Sequence, residues 1–126
     1  WQKTSLLNNY RGYLSQKKAS KAYASSEISI NINTEPATNG VNLRTFEIVA
    51  SGGFQMTDYR KDLSALFEID KEVVTFTTPQ ELRAQVLKYR DNADVRTRIA
   101  RAGHQRFLKD HTLAKRVATI VKLLKS

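Results

Sequence analysis

Within the stretch 39–58, NGVNLRTFEIVASGGFQMTD, Arg44 and Glu47 stand three residues apart among apolar residues at helical spacing. Asn39-Gly40 just before them is a turn dipeptide, and Asn42 is of the type that caps a helix N-terminus. A helix start presents free backbone N–H groups and a partial positive charge, which suits a phosphate. Gly40 lets the backbone come close to such a ligand, and Arg44, in the first turn, adds a fixed cation for a diphosphate. One turn further in, a carboxylate at Glu47 can accept two hydroxyl hydrogen bonds, as a ribose would offer. The alternative reading of the pair is an i,i+3 ion pair on an exposed helix surface, stabilising by roughly 0.2–0.5 kcal/mol. Neither G-x-G-x-x-G nor G-x-x-x-x-G-K-[ST] occurs, so no glycine-rich phosphate loop of those kinds is present.

Other candidate chemistry is thinner. His104 and His111 are seven residues apart with no second ligand pair, which favours surface or capping roles over a metal site. Asp58 and Asp62 read as an acid pair or, more simply, as caps of a short helix. No serine sits in a nucleophile elbow. The absence of cysteine removes disulfides, thiolate metal sites and cysteine nucleophiles together, and fits a reducing compartment. Tyr10, Tyr13 and Tyr23 lie near lysines, but their helical spacing points to core or interface rather than to base stacking.

The elements that must position Arg44 and Glu47 follow from periodicity. Residues 5–26 predict one or two helical segments broken at Gly12. Residues 27–33, EISININ, alternate Ile28, Ile30 and Ile32 with polar residues, a strand pattern. Residues 34–41, with Pro36 and Asn39-Gly40, predict a loop. Leu43, Phe46, Val49 and Ala50 give the next helix its apolar face, and Ser51-Gly52-Gly53 ends it. Residues 54–57 form a short strand, and 58–67 a loop with a short helix turning Leu63, Leu66 and Phe67 inward. Residues 72–76 make a third strand. Thr78, Pro79 and Glu81 form a strong helix start, leading through Leu82, Val86 and Tyr89. Two more helices follow, over 93–109 (Val95, Ile99 and Phe107 inward) and over 112–125 (Val117, Ile120, Val121 and Leu124 inward). Short strands joined by helical crossovers imply a parallel sheet with right-handed connections. In open sheets of that kind ligands sit beyond the carboxyl ends of the strands, which is where the loop before Asn42 lies.

At 126 residues the chain suits a single domain, and 40% apolar with 26% charged residues is an ordinary globular composition. It has no apolar run of about 18 residues and no signal-peptide pattern. It begins at Trp1 rather than Met, as a piece of a longer protein would. The net charge of +9 is uneven: residues 83–126 carry twelve bases against three acids, while 27–82 carry nine acids against four bases. Such a basic block can meet nucleic acid, acidic lipid or a phosphorylated ligand, or it can be a solvated helix surface or a surface made for another domain.

The residues also resemble a family. Arg44-Thr45-Phe46-Glu47, Ala50-Ser51-Gly52-Gly53-Phe54 and Thr57-Asp58 are similar to the C-terminal half of GT-B glycosyltransferases, nearest the spore-maturation CgeB-like and group 1 branch. Residues 66–67, 71–74, 79–82, 99–103 and 111–112 extend the similarity from about Tyr23 to the end. The resemblance implies an α/β, Rossmann-like three-layer domain with a short parallel sheet of three to four strands and a helical C-terminal third. It implies that residues 1–126 are the donor-binding half of a two-domain cytoplasmic enzyme, whose other domain holds the acceptor. The donor would be a nucleotide-diphosphate sugar, with no metal cofactor. The second glutamate of the family's glutamate-x7-glutamate motif falls on Glu47, which would hold the ribose. The first falls on Asn39, a departure from the pattern, followed by the expected glycine at Gly40. Asn42, Leu43 and Arg44 lie where the family contacts the diphosphate, and no catalytic residue is assigned. The alternative from another class is a non-enzymatic α/β module whose basic C-terminal helices bind an anionic partner. Acidic membrane surface is a further possible contact, and nucleic acid is disfavoured.

Overall fold

The computed structural model describes residues 8–33 and 39–126. Leu6 and Leu7 of the first expected helix, and Pro36 with most of the loop before Asn39, lie outside the described residues. In chain order the elements are α1 (Gln16–Ser25), β1 (Ser29–Asn31), α2 (Leu43–Ala50), β2 (Gln55–Asp58) and α3 (Leu63–Leu66). They continue with β3 (Val74–Phe76), α4 (Pro79–Arg90), α5 (Ala93–Arg106), a π-helical turn (Phe107–His111) and α6 (Leu113–Lys125). The strands form one parallel sheet in the order β1-β2-β3, with Ile30 beside Met56 and Met56 beside Val74. The expected α/β class, parallel sheet and helical C-terminal third are all present.

The two faces of the sheet differ in chemistry. On one, Met56, Val74 and Phe76 pack with Tyr89 of α4 and with Ile99 and Ala100 of α5. This apolar layer follows from the helix start at Thr78, whose hydroxyl accepts the Glu81 N–H at 3.1 Å, with Pro79 in the first turn. Glu81 reaches back one residue beyond a standard capping box, accepting from the Thr77 N–H and hydroxyl at 2.6 Å each. The other face carries the alternate residues, and there Ser29, Asn31, Asn33, Gln55 and Thr57 are all buried. The period-two pattern of the first strand therefore marks it correctly, but its polar residues go deepest. Ile30 and Ile32 are 46% and 58% exposed at the sheet edge.

α2 lies over the polar face and buries Thr45, Ile48 and Val49. Its end is a Schellman turn: the Gly53 N–H bonds the Ile48 carbonyl at 3.0 Å and the Gly52 N–H bonds the Val49 carbonyl at 3.1 Å. Gly52 has φ +77°, which glycine adopts without steric cost. Val49 joins Leu63, Phe67 and Val73 in a second apolar cluster beneath α2 and α3.

Both histidines cap other helices. His104 Nδ1 lies 2.9 Å from the Val49 carbonyl in the last turn of α2, and His111 Nε2 lies 2.8 Å from the Leu66 carbonyl ending α3. A carbonyl only accepts, so each of these ring nitrogens carries the hydrogen. The His111 ring also sits against Phe67 and Phe46, with centroids at 4.9 and 5.5 Å.

Three expectations need correction. Leu43 does not join the apolar face of α2: it opens the helix beyond the sheet and is 72% exposed, and Thr45 and Ile48 fill the buried stripe beside Val49. Val117, Ile120, Val121 and Leu124 do not turn inward. The π-helical turn and the extended backbone of Thr112 (φ −61°, ψ 153°) redirect the chain, so α6 buries none of its residues. Asp58 and Asp62 do not cap α3. Asp62 occupies the N-cap position without a side-chain bond, and Asp58 is engaged elsewhere.

Candidate functional site

The carboxyl ends of β1 and β2 meet the start of α2 in a chain of polar contacts. Asn42 accepts the Thr45 N–H on Oδ1 at 3.1 Å, closing the first turn of α2. Its side chain and that of Asn31 exchange amide hydrogen bonds at 3.0 Å in both directions. Its own backbone N–H donates to Asn33 Oδ1 at 2.7 Å. Asn33 in turn donates from its backbone and its Nδ2 to Asp58 Oδ1, at 2.7 and 2.8 Å. Arg60 closes the chain, donating to Asp58 Oδ2 at 2.8 Å and to the Asn33 carbonyl at 2.6 Å. A charged pair with this many fixed partners is pre-organised, because few alternative hydrogen bonds remain to it.

The α2 N-terminus is thereby held in place while two of its donors stay open. The N–H groups of Leu43 and Arg44 have no partner among the described residues. The Asn42 N–H, by contrast, is taken by Asn33 and is not available to a ligand. The Arg44 side chain is exposed and forms no ion pair among the described residues, and neither does Glu47. The i,i+3 salt bridge offered as the simple reading of these two residues is absent from the structure.

Glu47 is half-buried and lines a groove of about 690 Å³ between α1, α2 and the start of α6, which it shares with Leu43, Val41 and Gln16. The groove floor is apolar, with Phe46 under the Arg116 guanidinium at 4.9 Å from the ring centre. A carboxylate on an apolar wall beside open N–H groups can accept from sugar hydroxyls while the helix end faces an anion. Asn39 is exposed, its carbonyl accepting the Asp62 N–H at 3.1 Å, and Gly40 is partly exposed next to it. The structure thus brings Leu43 and Glu47 into one groove, with Asn42 and Arg44 in the same first turn. Asn39 and Gly40 lie on the approach to that turn.

Asn33, Asp58 and Arg60 were missed as site residues. The signal for Asn33 was the polar alternation Ser29, Asn31, Asn33, which is unusual on a strand face that must be covered by a helix; no local pattern marks Arg60 or its pairing with Asp58. Among the described residues no group of three or more His, Asp or Glu side chains could hold a metal ion. No helix among them is long and apolar enough to cross a membrane.

Neither a curated protein nor a solved structure matches the chain significantly. A family model described as glycosyl transferase-like matches residues 1–122, almost the whole length. With a Rossmann-like parallel sheet underneath it and a capped helix start at the carboxyl ends of the strands, the chain belongs to the glycosyl transferase-like family.

Proposed function

We propose that this domain binds the donor of a GT-B glycosyltransferase, a nucleotide-diphosphate sugar, at the start of α2. The observation that supports it is the pair of open N–H groups on Leu43 and Arg44 beside a groove that Leu43 and Glu47 both line. In this reading the diphosphate rests on those N–H groups, Arg44 supplies a counter-charge, and Glu47 accepts the ribose hydroxyls. Asn39 meets the donor sugar with an amide where the resembled motif has a carboxylate, and Gly40 lets the backbone approach. As the bond to the sugar breaks, negative charge builds on the diphosphate, and the helix end and the guanidinium stabilise it without a metal ion. A second domain holds the acceptor, so this domain binds donor and transfers nothing alone.

Calorimetric titration with nucleoside diphosphates tests the reading. Binding is expected, and Glu47→Ala weakens it roughly tenfold, as loss of a hydrogen bond to a charged group would. Arg44→Ala weakens a nucleoside diphosphate but leaves the parent nucleoside unchanged. Affinity that ignores both substitutions would sink the assignment.

A further inference from the structure

Among the described residues α6 is the one helix of more than ten residues that buries no side chain, although its composition is that of a helix with something to cover it. At about 100° per residue, Leu113, Val117, Ile120, Val121 and Leu124 fall within an arc of about 100°. All five are between 41% and 82% exposed. Arg116 and Lys125 border that arc on its two sides, and Lys115 and Lys122 stand behind it. The helix contains no acidic residue.

We propose that α6 docks on an anionic lipid surface, lying in the plane of the interface with its apolar arc among the acyl chains and its bases at the headgroups. The charge pattern selects this occupant. A second copy seated on the same face would bring two wholly basic helices together with no acid on either to compensate. Nucleic acid meets the bases but leaves five large apolar side chains in water. An acidic bilayer satisfies both: lipid accepts the apolar arc, and each base near the surface adds attraction. At thirteen residues the helix is about 20 Å long, too short to span and suited to lying flat. The π-helical turn and the extended Thr112 redirect the chain, so that beyond its first turn, which meets α2, the helix leaves its apolar arc uncovered.

The test is flotation of the full chain with phosphatidylglycerol–phosphatidylcholine vesicles against phosphatidylcholine alone, at low and high salt. Binding is expected only with the anionic lipid, falling as salt rises. Lys122→Gln with Lys125→Gln weakens it roughly thirtyfold, at about fivefold per charge. Val121→Asp with Leu124→Asp weakens it at least as much, while circular dichroism shows the fold intact, because both residues are exposed. No binding to anionic vesicles overturns the proposal. So does binding indifferent to the aspartates, which would be adsorption by charge alone. Stronger protection of α6 amides from hydrogen exchange in the protein that carries the second domain than in this chain, both without vesicles, also overturns it, because that domain would then already cover the helix.

Discussion

Asn31 on β1 and Asn42 at the head of α2 hold each other by two amide hydrogen bonds, each Nδ2 donating to the other's Oδ1 at 3.0 Å. An edge strand and a helix cap are thereby locked in one geometry, with the open N–H groups of α2 aimed by the sheet. The two residues should behave as a unit. Asn42→Ala removes the cap, at about 1 kcal/mol, and leaves the buried Asn31 Oδ1 without its donor, at about 1–3 kcal/mol more, while Asn31 Nδ2 keeps its bond to Thr45 Oγ1. Urea denaturation of both single variants and the double variant should give a coupling of roughly 1 kcal/mol or more. Strictly additive losses would show that the pair is not a unit.

The close approach of α5 to the turn before β3 makes a second expectation. A Cβ at Gly103 would stand 2.5 Å from the Glu72 carbonyl oxygen, a backbone atom that cannot swing aside. Alanine favours a helix over glycine by about 1 kcal/mol. At this position steric displacement outweighs that gain, and Gly103→Ala should destabilise by about 1–3 kcal/mol. Thermal unfolding reads the sign directly: a raised Tm would contradict the packing described.

Acid should loosen the molecule at two defined places. The Thr77 hydroxyl and then its N–H hold Glu81 below the usual carboxylate range, and the Arg106 guanidinium does the same for Asp110. A carboxylate whose folded pKa is lowered contributes stability that is complete above its ordinary value. That stability is lost as pH falls through the folded value. Tm should therefore hold above about pH 4.5 and fall below it. Glu81→Gln should flatten part of that acid limb while leaving the neutral plateau slightly lower. An unchanged limb would mean the carboxylate has no preferential bond in the folded state.

Local rules carried the reading of sequence furthest where each residue answers to its neighbours. Asn42 caps α2, Gly52 ends it, Thr78 and Pro79 start α4, and β1 and β3 fall within the segments expected of them while β2 runs one residue further, to Asp58. What local pattern could not show was which side of a strand is covered, and with what. Ile28, Ile30 and Ile32 look like a buried face, yet Asn31 and Asn33 go under α2 because their amides find Asn42, Thr45, Thr57 and Asp58 there. Arg60 entered no motif, since its partners Asp58 and the Asn33 carbonyl come together only when β1 and β2 pair. α6 failed for a similar reason: amphipathicity announces that a face needs covering but not where its cover lies. For the candidate site, the sequence picked out Glu47 and the helix start, and the sheet supplied the scaffold that fixes them.

The amide-lined face of the sheet also bears on temperature. Unfolding exposes the apolar layer under α4 and α5, which raises the heat capacity, but it also hydrates Ser29, Asn31, Asn33, Gln55 and Thr57, which lowers it. The stability curve of this domain should accordingly be flatter than that of a sheet with two oily faces. Hydrophobic contacts weaken on cooling, whereas the amide bonds between β1 and α2 do not depend on them. The junction that aims the Leu43 and Arg44 N–H groups is thus the part of the molecule least altered by cold.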